Sequence, residues 1–249
     1  MSKEHAVPAW VGEVLHALEP EGAEWRSSWA YGTAEVSKAR GHAAPGNRPV
    51  VEINCVCVAC NTGWMADLEA ATQPILAPMI RGERAALSTA SQLTLTTWSA
   101  KTVVVLENLR RDLRVVTQQE RDVLRLELRP PHTFRARLAA VDDPGAEPLR
   151  YQTYVATTVV PDGEPDVLCS TLLVGHVVIQ VWGGEGVGPV DLQQGGTLIS
   201  DAVMIWPPVP GIAAWPPKVC LTADTIEAFL RQPIPGFSGG GFIEGWSWK

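Results

Sequence analysis

The sequence predicts an α+β fold, helical in its first half and strand-rich in its second. Three observations predict it. Apolar residues recur at three- and four-residue spacing between Ser88 and Leu109, and Thr117-Gln-Gln-Glu120 spells a helix capping box. Beyond Thr133, β-branched runs alternate with turn clusters, the pattern of a mainly antiparallel sheet. A chain of 249 residues can bury a substantial core, as one large domain or two small ones. With 46% apolar and 19% charged residues, its composition is that of a globular protein.

Taken in order, the first element is a short helix within residues 1–19, where Trp10, Val14, Leu15 and Leu18 share a face and Pro8 suits the first turn. Residues 20–49 are rich in Gly, Ala, Pro and Ser and predict an irregular loop with at most a weak strand, anchored by Trp25, Trp29 and Tyr31. Pro49 to Val58 alternates and is β-branched, so it predicts a strand. Helical spacing follows from Asn61, with Trp64, Met65, Leu68, Ala71 and Ile75 as its stripe. Pro74 and Pro78 are expected to break or kink that helix, and Gly82 to end it.

The Ser88–Leu109 helix is the strongest in the chain, carried by Leu95, Trp98, Thr102, Val105, Leu106 and Leu109. The Thr117 helix runs to Leu128 and stops at Pro130-Pro131. Strands are then expected over Phe134–Val141, Tyr151–Val160, Leu168–Trp182 and Thr197–Trp206, and a last helix over Thr222–Arg231. The Gly-rich segment Gly236–Lys249 reads as a loose tail.

Several function classes are disfavoured. No run of about 18 apolar residues predicts a membrane span, and Met1-Ser2-Lys3-Glu4-His5 has no signal-peptide core, so cytoplasmic residence is the default expectation. Walker, dinucleotide, nucleophile-elbow and His-Glu-x-x-His motifs are absent from the sequence. The net charge of −7 argues mildly against nucleic-acid binding, although basic residues cluster at Arg81/Arg84, Arg110/Arg111/Arg114 and Arg121–Arg137. Cys169 and Cys220 lie alone in apolar segments and read as buried core residues; Cys55, Cys57 and Cys60 stand close together. His176 reads as a sheet residue whose ring nitrogens find partners, and His132 as a loop residue.

Two segments carry chemistry. One is Ser2-Lys3-Glu4-His5-Ala6-Val7-Pro8-Ala9-Trp10; the other is Cys57-Val58-Ala59-Cys60-Asn61-Thr62-Gly63-Trp64-Met65-Ala66-Asp67-Leu68-Glu69. Each alone is common. In this order they resemble the HNH endonuclease superfamily, in particular bacterial HNH-like proteins with Lys-Glu-His-x-x-Pro-x-Trp and Cys-x-x-Cys-Asn-x-Gly-Trp-Met motifs. The resemblance covers residues 2–69 and implies a ββα-metal module that hydrolyses DNA phosphodiester bonds with a divalent metal such as magnesium.

Carried over residue by residue, it implies His5 as general base on water, and Glu4 and Asn61 as ligands of the catalytic metal. Asn54 is the nearest match to the orienting Asn, with Asn47 next. Cys57 and Cys60 would belong to a structural zinc knuckle. The family pattern places a further CxxC before the Glu-His segment, and this sequence lacks it, so the knuckle is incomplete. Cys55 is the third-ligand candidate, and His16 or His42 the fourth.

The expected organisation is therefore an HNH-like module at 1–82, an α+β domain of unassigned role at 83–235 and a tail at 236–249. Two functional expectations follow. One is a metal-dependent endonuclease, with a site weakened if the module is truncated. The other is a non-catalytic binding or interaction protein built on a degenerate module.

Overall fold

The computed structural model describes residues 2–19, 25–31, 42–43, 52–109, 114–145, 148–156, 166–187, 202–222, 225–226 and 241–248. The chain is α+β. It opens with β1 (Ser2–His5) and α1 (Ala9–His16), followed by β2 (Trp25–Tyr31), β3 (His42–Ala43) and β4 (Glu52–Val56). After β4 come α2 (Val58–Cys60), a π-turn over Asn61–Met65 and α3 (Ala66–Ile80). The short β5 (Ala85–Leu87) leads into α4 (Thr89–Leu106), and α5 is Gln118–Glu127. The strands β6 (Arg135–Ala140), β7 (Leu149–Ala156), β8 (Val167–Val174), β9 (Val177–Gly183), β10 (Val203–Trp206), β11 (Ala213–Trp215) and β12 (Gly241–Trp248) complete the described chain.

Eight strands form one sheet in the order β10-β6-β9-β8-β7-β12-β2-β3, with every neighbouring pair antiparallel. One face of this sheet shares a core with α4: Leu95, Trp98, Val103, Val105 and Leu106 cluster with Leu138, Leu149, Tyr151, Leu172 and Ile179. The other face carries two smaller apolar clusters, one around Leu173 and Val178 and one around Cys169 and Trp182. Between them runs a buried polar row. Arg137 donates through Nε to Gln180 Oε1 at 2.9 Å and stacks over Trp182 at 4.7 Å, and Gln180 donates to Thr171 at 2.9 Å. Because β8 and β9 are buried on both faces, their sequences do not alternate apolar with polar residues.

The local signals explain the helices. Ser88 caps α4 by accepting from Ser91 N at 3.1 Å, and Thr117 and Glu120 form the reciprocal box that opens α5. α4 is buried on nearly all sides, with Gln92, Thr96, Thr97, Ser99 and Thr102 inside as well as its apolar residues. Thr96, Thr97 and Ser99 return their hydroxyls to backbone carbonyls one turn back, which is how polar residues enter a core helix.

Several expectations are corrected. α3 runs through Pro74 and Pro78 without ending. The carbonyl deprived of an N–H partner by Pro74 belongs to Ala70; both residues are exposed, so water can satisfy it. The non-helical residue is Gly63 instead, within the π-turn. Residues 168–182 form two strands rather than one. The chain reverses at Gly175-His176, and Gly175 (φ 54°) has no room for a side chain, since a Cβ there would lie 2.4 Å from the Ile80 carbonyl oxygen. His176 lies in that turn, not in a strand, with its Nδ1 2.7 Å from the Val141 carbonyl oxygen.

Within 20–49, β2 is a seven-residue strand, longer than the weak strand expected. The segment 236–249, expected as a tail, contains β12, which pairs with β7 on one side and β2 on the other. Its glycines lower local strand preference, but ladders on both edges satisfy its backbone, and that pairing is non-local. β2 and β3, from the first 82 residues, share the eight-stranded sheet with strands that follow α5. Of the expected helix 222–231, Thr225 and Ile226 are helical, Thr222 is not, and the remainder lies outside the described residues.

Candidate functional site

The first motif segment pairs, in a separate two-stranded sheet, with the strand that leads into the second. β1 pairs antiparallel with β4, with Ser2 opposite Val56, Lys3 opposite Asn54, Glu4 opposite Ile53 and His5 opposite Glu52. One residue after β4 the helical segment begins. Glu4, His5, Asn54, Cys57, Cys60 and Asn61 thus belong to a single ββα unit. Its anchors explain the pairing: Ala6, Val7, Val11 and Leu15 are buried beside β1, Ile53 is buried from β4, and Met65 from the π-turn, all in the main core. Trp10 meets Trp98 of α4 with ring centroids 6.5 Å apart, which fastens the unit to the sheet layer. The side chains of Glu4, His5 and Asn54 lie outside the described part of the structure, as do Asn47 and the side chain of His42.

The helical start is well defined. Cys57, exposed, precedes α2 and accepts from Cys60 N at 3.2 Å through its Sγ. Asn61, half-buried, donates its backbone N–H to the Cys57 carbonyl at 3.0 Å. Hydrogen bonds from the Cys60 thiol and then from its backbone N–H hold the Cys57 thiol below the usual cysteine range. Cys60 is pushed up, first by its bond to Cys57 and then by burial, while Trp64 acts in the opposite direction.

Beside this turn opens a cavity of about 340 Å³. Its walls include Cys57, Cys60 and Trp64 from the turn, Lys101 from α4, and Arg121 and Arg125 from α5. Lys101 is 1% exposed and its Nζ lies 2.6 Å from Glu69 Oε1, tying α4 to α3. Arg121 pairs with buried Glu107, which also accepts from the backbone of Val115 at 2.5 Å and Val116 at 2.9 Å. The sequence did not group these residues with the cysteines. The signal was present, because Gln118, Arg121, Asp122 and Arg125 form an i, i+3, i+4, i+7 polar stripe on the α5 helix.

No protein-family model, curated protein or solved structure matches the chain.

The donor set decides which metals suit the unit. Structural zinc takes four ligands, and Cys57 and Cys60 supply two. Among the described residues no group of three His, Cys, Asp or Glu side chains is placed to hold a metal. Cys55 therefore does not complete a three-ligand set, and His16 is engaged with Glu19. The described residues do not fit a closed structural zinc site. The carboxylate of Glu4 and the amide oxygen of Asn61 are, by contrast, hard oxygen donors of the type that magnesium or manganese prefers.

The basic clusters read from the sequence are partly neutralised. Arg81, Arg121, Arg125 and Arg129 each pair with a carboxylate, and Arg137 is buried, with burial drawing its guanidinium below the usual range. Arg110 and Arg111 lie outside the described residues. No helix among the described residues is long and apolar enough to cross a membrane.

Proposed function

We propose that the ββα unit is a phosphodiester-hydrolysing centre of HNH type acting on DNA. The observation that carries this reading is the β1–β4 register, which brings Glu4-His5 alongside the strand leading directly into Cys57–Asn61. In this reading His5 accepts the proton of the attacking water, and Asn54 orients its ring. Glu4 and Asn61 supply oxygen ligands to a divalent cation. When bound, that cation stabilises the charge developing on the phosphate and leaving oxygen. The core contacts of Val7, Ile53 and Met65 hold strand and helix start in fixed relation, as positioning of a general base requires.

A second reading is supported by charge. The net charge is −7, and half of the described arginines of the basic clusters, Arg81, Arg121, Arg125 and Arg129, are paired with acids, which reduces what is left to neutralise phosphates. In that case the unit is a non-catalytic scaffold for a binding domain. Supercoiled plasmid incubated with the protein and magnesium or manganese separates the two. The nuclease reading expects nicking that chelation abolishes and that His5→Ala and Glu4→Ala remove. Equal nicking by His5→Ala and wild type would contradict it, and metal-independent inactivity of the wild type would favour the scaffold.

A further inference from the structure

Two of the five cysteines are placed to react with each other. Cys57 is exposed immediately before the first helical turn, and Cys60, half-buried, closes that turn. The Cys60 N–H bond to Cys57 Sγ at 3.2 Å holds the Cys57 sulfur over the turn, on the side where Cys60 lies. Side chains three residues apart on a helix have Cβ atoms about 5–6 Å apart, and a disulfide needs them at about 3.5–4.5 Å, so a small rotation at the helix start closes the gap. Cys169, 3% exposed in the sheet, is shut off from reagents, and Cys220 lies beside Pro217. Among the described residues no third metal-ligating side chain joins Cys57 and Cys60. The cavity in front of the pair offers room for a thiol leaving group; on its wall Gln118 and the half-exposed Arg125 both contact Asp122.

We propose that Cys57 and Cys60 form a reactive dithiol that low-molecular-weight disulfides oxidise to an intrachain disulfide. Cys57, as thiolate, attacks one sulfur of the incoming disulfide; the S–S bond breaks and one thiolate leaves. Cys60 then gives up its proton to solvent and attacks Cys57 Sγ in the mixed disulfide, expelling the second thiolate. The protein loses two electrons and two protons, and one disulfide becomes two thiols. Exposure assigns the roles: Cys57 meets the reagent and Cys60 resolves. This inference does not depend on DNA cleavage.

The test is a titration of the full chain with reduced and oxidised glutathione, followed by acid trapping, alkylation and peptide mass mapping. The expected result is loss of two hydrogens confined to the peptide carrying Cys57 and Cys60, with Cys55→Ser unaffected. Cys60→Ser should accumulate one glutathione on Cys57, and Cys57→Ser should block both products. Persistence of both thiols in oxidised glutathione, a co-purifying zinc that shields them, or glutathione accumulating on Cys60 in Cys57→Ser would overturn the proposal. The wild-type map alone decides the matter if a serine variant fails to fold.

Discussion

Gly175→Ala should be among the most destabilising single-methyl additions in this chain, because its Cβ would collide with the end of α3. Gly175 sits at φ 54° in the β8–β9 turn; its N–H bonds the Pro148 carbonyl at 2.6 Å, and the neighbouring His176 N–H bonds the Ile80 carbonyl at 3.1 Å. A methyl there would lie 2.4 Å from Ile80 O and 2.8 Å from Ile80 Cγ2, so the helix end or the hairpin must move. The left-handed backbone costs about 1–2 kcal/mol for a non-glycine residue, and overpacking adds about 1–3 kcal/mol. At about 2–4 °C per kcal/mol for a chain of this size, the melting temperature should fall by roughly 4–20 °C. Gly145→Ala is the matched control: φ is 64°, but nothing lies within 4 Å of the added carbon. It should cost only the backbone term, about 1–2 kcal/mol. Calorimetry or far-UV circular dichroism on both variants makes the comparison. Equal losses at the two glycines would refute the close packing of the turn on α3.

Two further outcomes rest on buried groups. Glu107→Gln leaves one amide oxygen for three donors, Val115 N, Val116 N and Arg121, and removes the charge opposite the guanidinium. Denaturant unfolding should show a loss of about 2–4 kcal/mol, and a change under about 0.5 kcal/mol would contradict the geometry. Burial pushes the Cys169 thiol from 9.0 up to about 12. The unfolded chain therefore releases this proton from about pH 9 while the folded chain keeps it, so the contribution is full below pH 9 and is lost as pH rises toward 12. Wild type should lose stability more steeply than Cys169→Ala above pH 9, by up to about 1.4 kcal/mol per pH unit; parallel curves would show that the thiol is not buried.

The parts of the fold legible in the sequence are those set by contacts within a few residues. The Ser88 and Thr117 caps and the periodicity between them locate α4 and α5, and alternation within residues 49–58 locates β4. What escaped is set by partners distant in the chain. The reversal at Gly175-His176 is a two-residue interruption between β-rich arms that are both buried on both faces, so no change from apolar to polar patterning sets the two strands apart. β12 is recruited by β7 and β2, which its glycines do not announce. The candidate site follows the same division. The motif residues were named from sequence, and the antiparallel register joins them in one unit. For the cavity beside the cysteines, the α5 polar stripe was legible, but the packing of α5 against α4 that brings it to the cysteines is non-local.

The central claim, that His5 acts as a base in a metal-assisted hydrolytic centre, is tested most directly by single-turnover cleavage of an end-labelled DNA duplex in magnesium. Wild type and His5→Ala are compared after their melting temperatures have been shown to agree. The account predicts that wild type cleaves and that His5→Ala is slower by about 10²–10⁴-fold, the usual worth of a positioned general base. Equal rates, or no metal-dependent cleavage by the wild type, would contradict it.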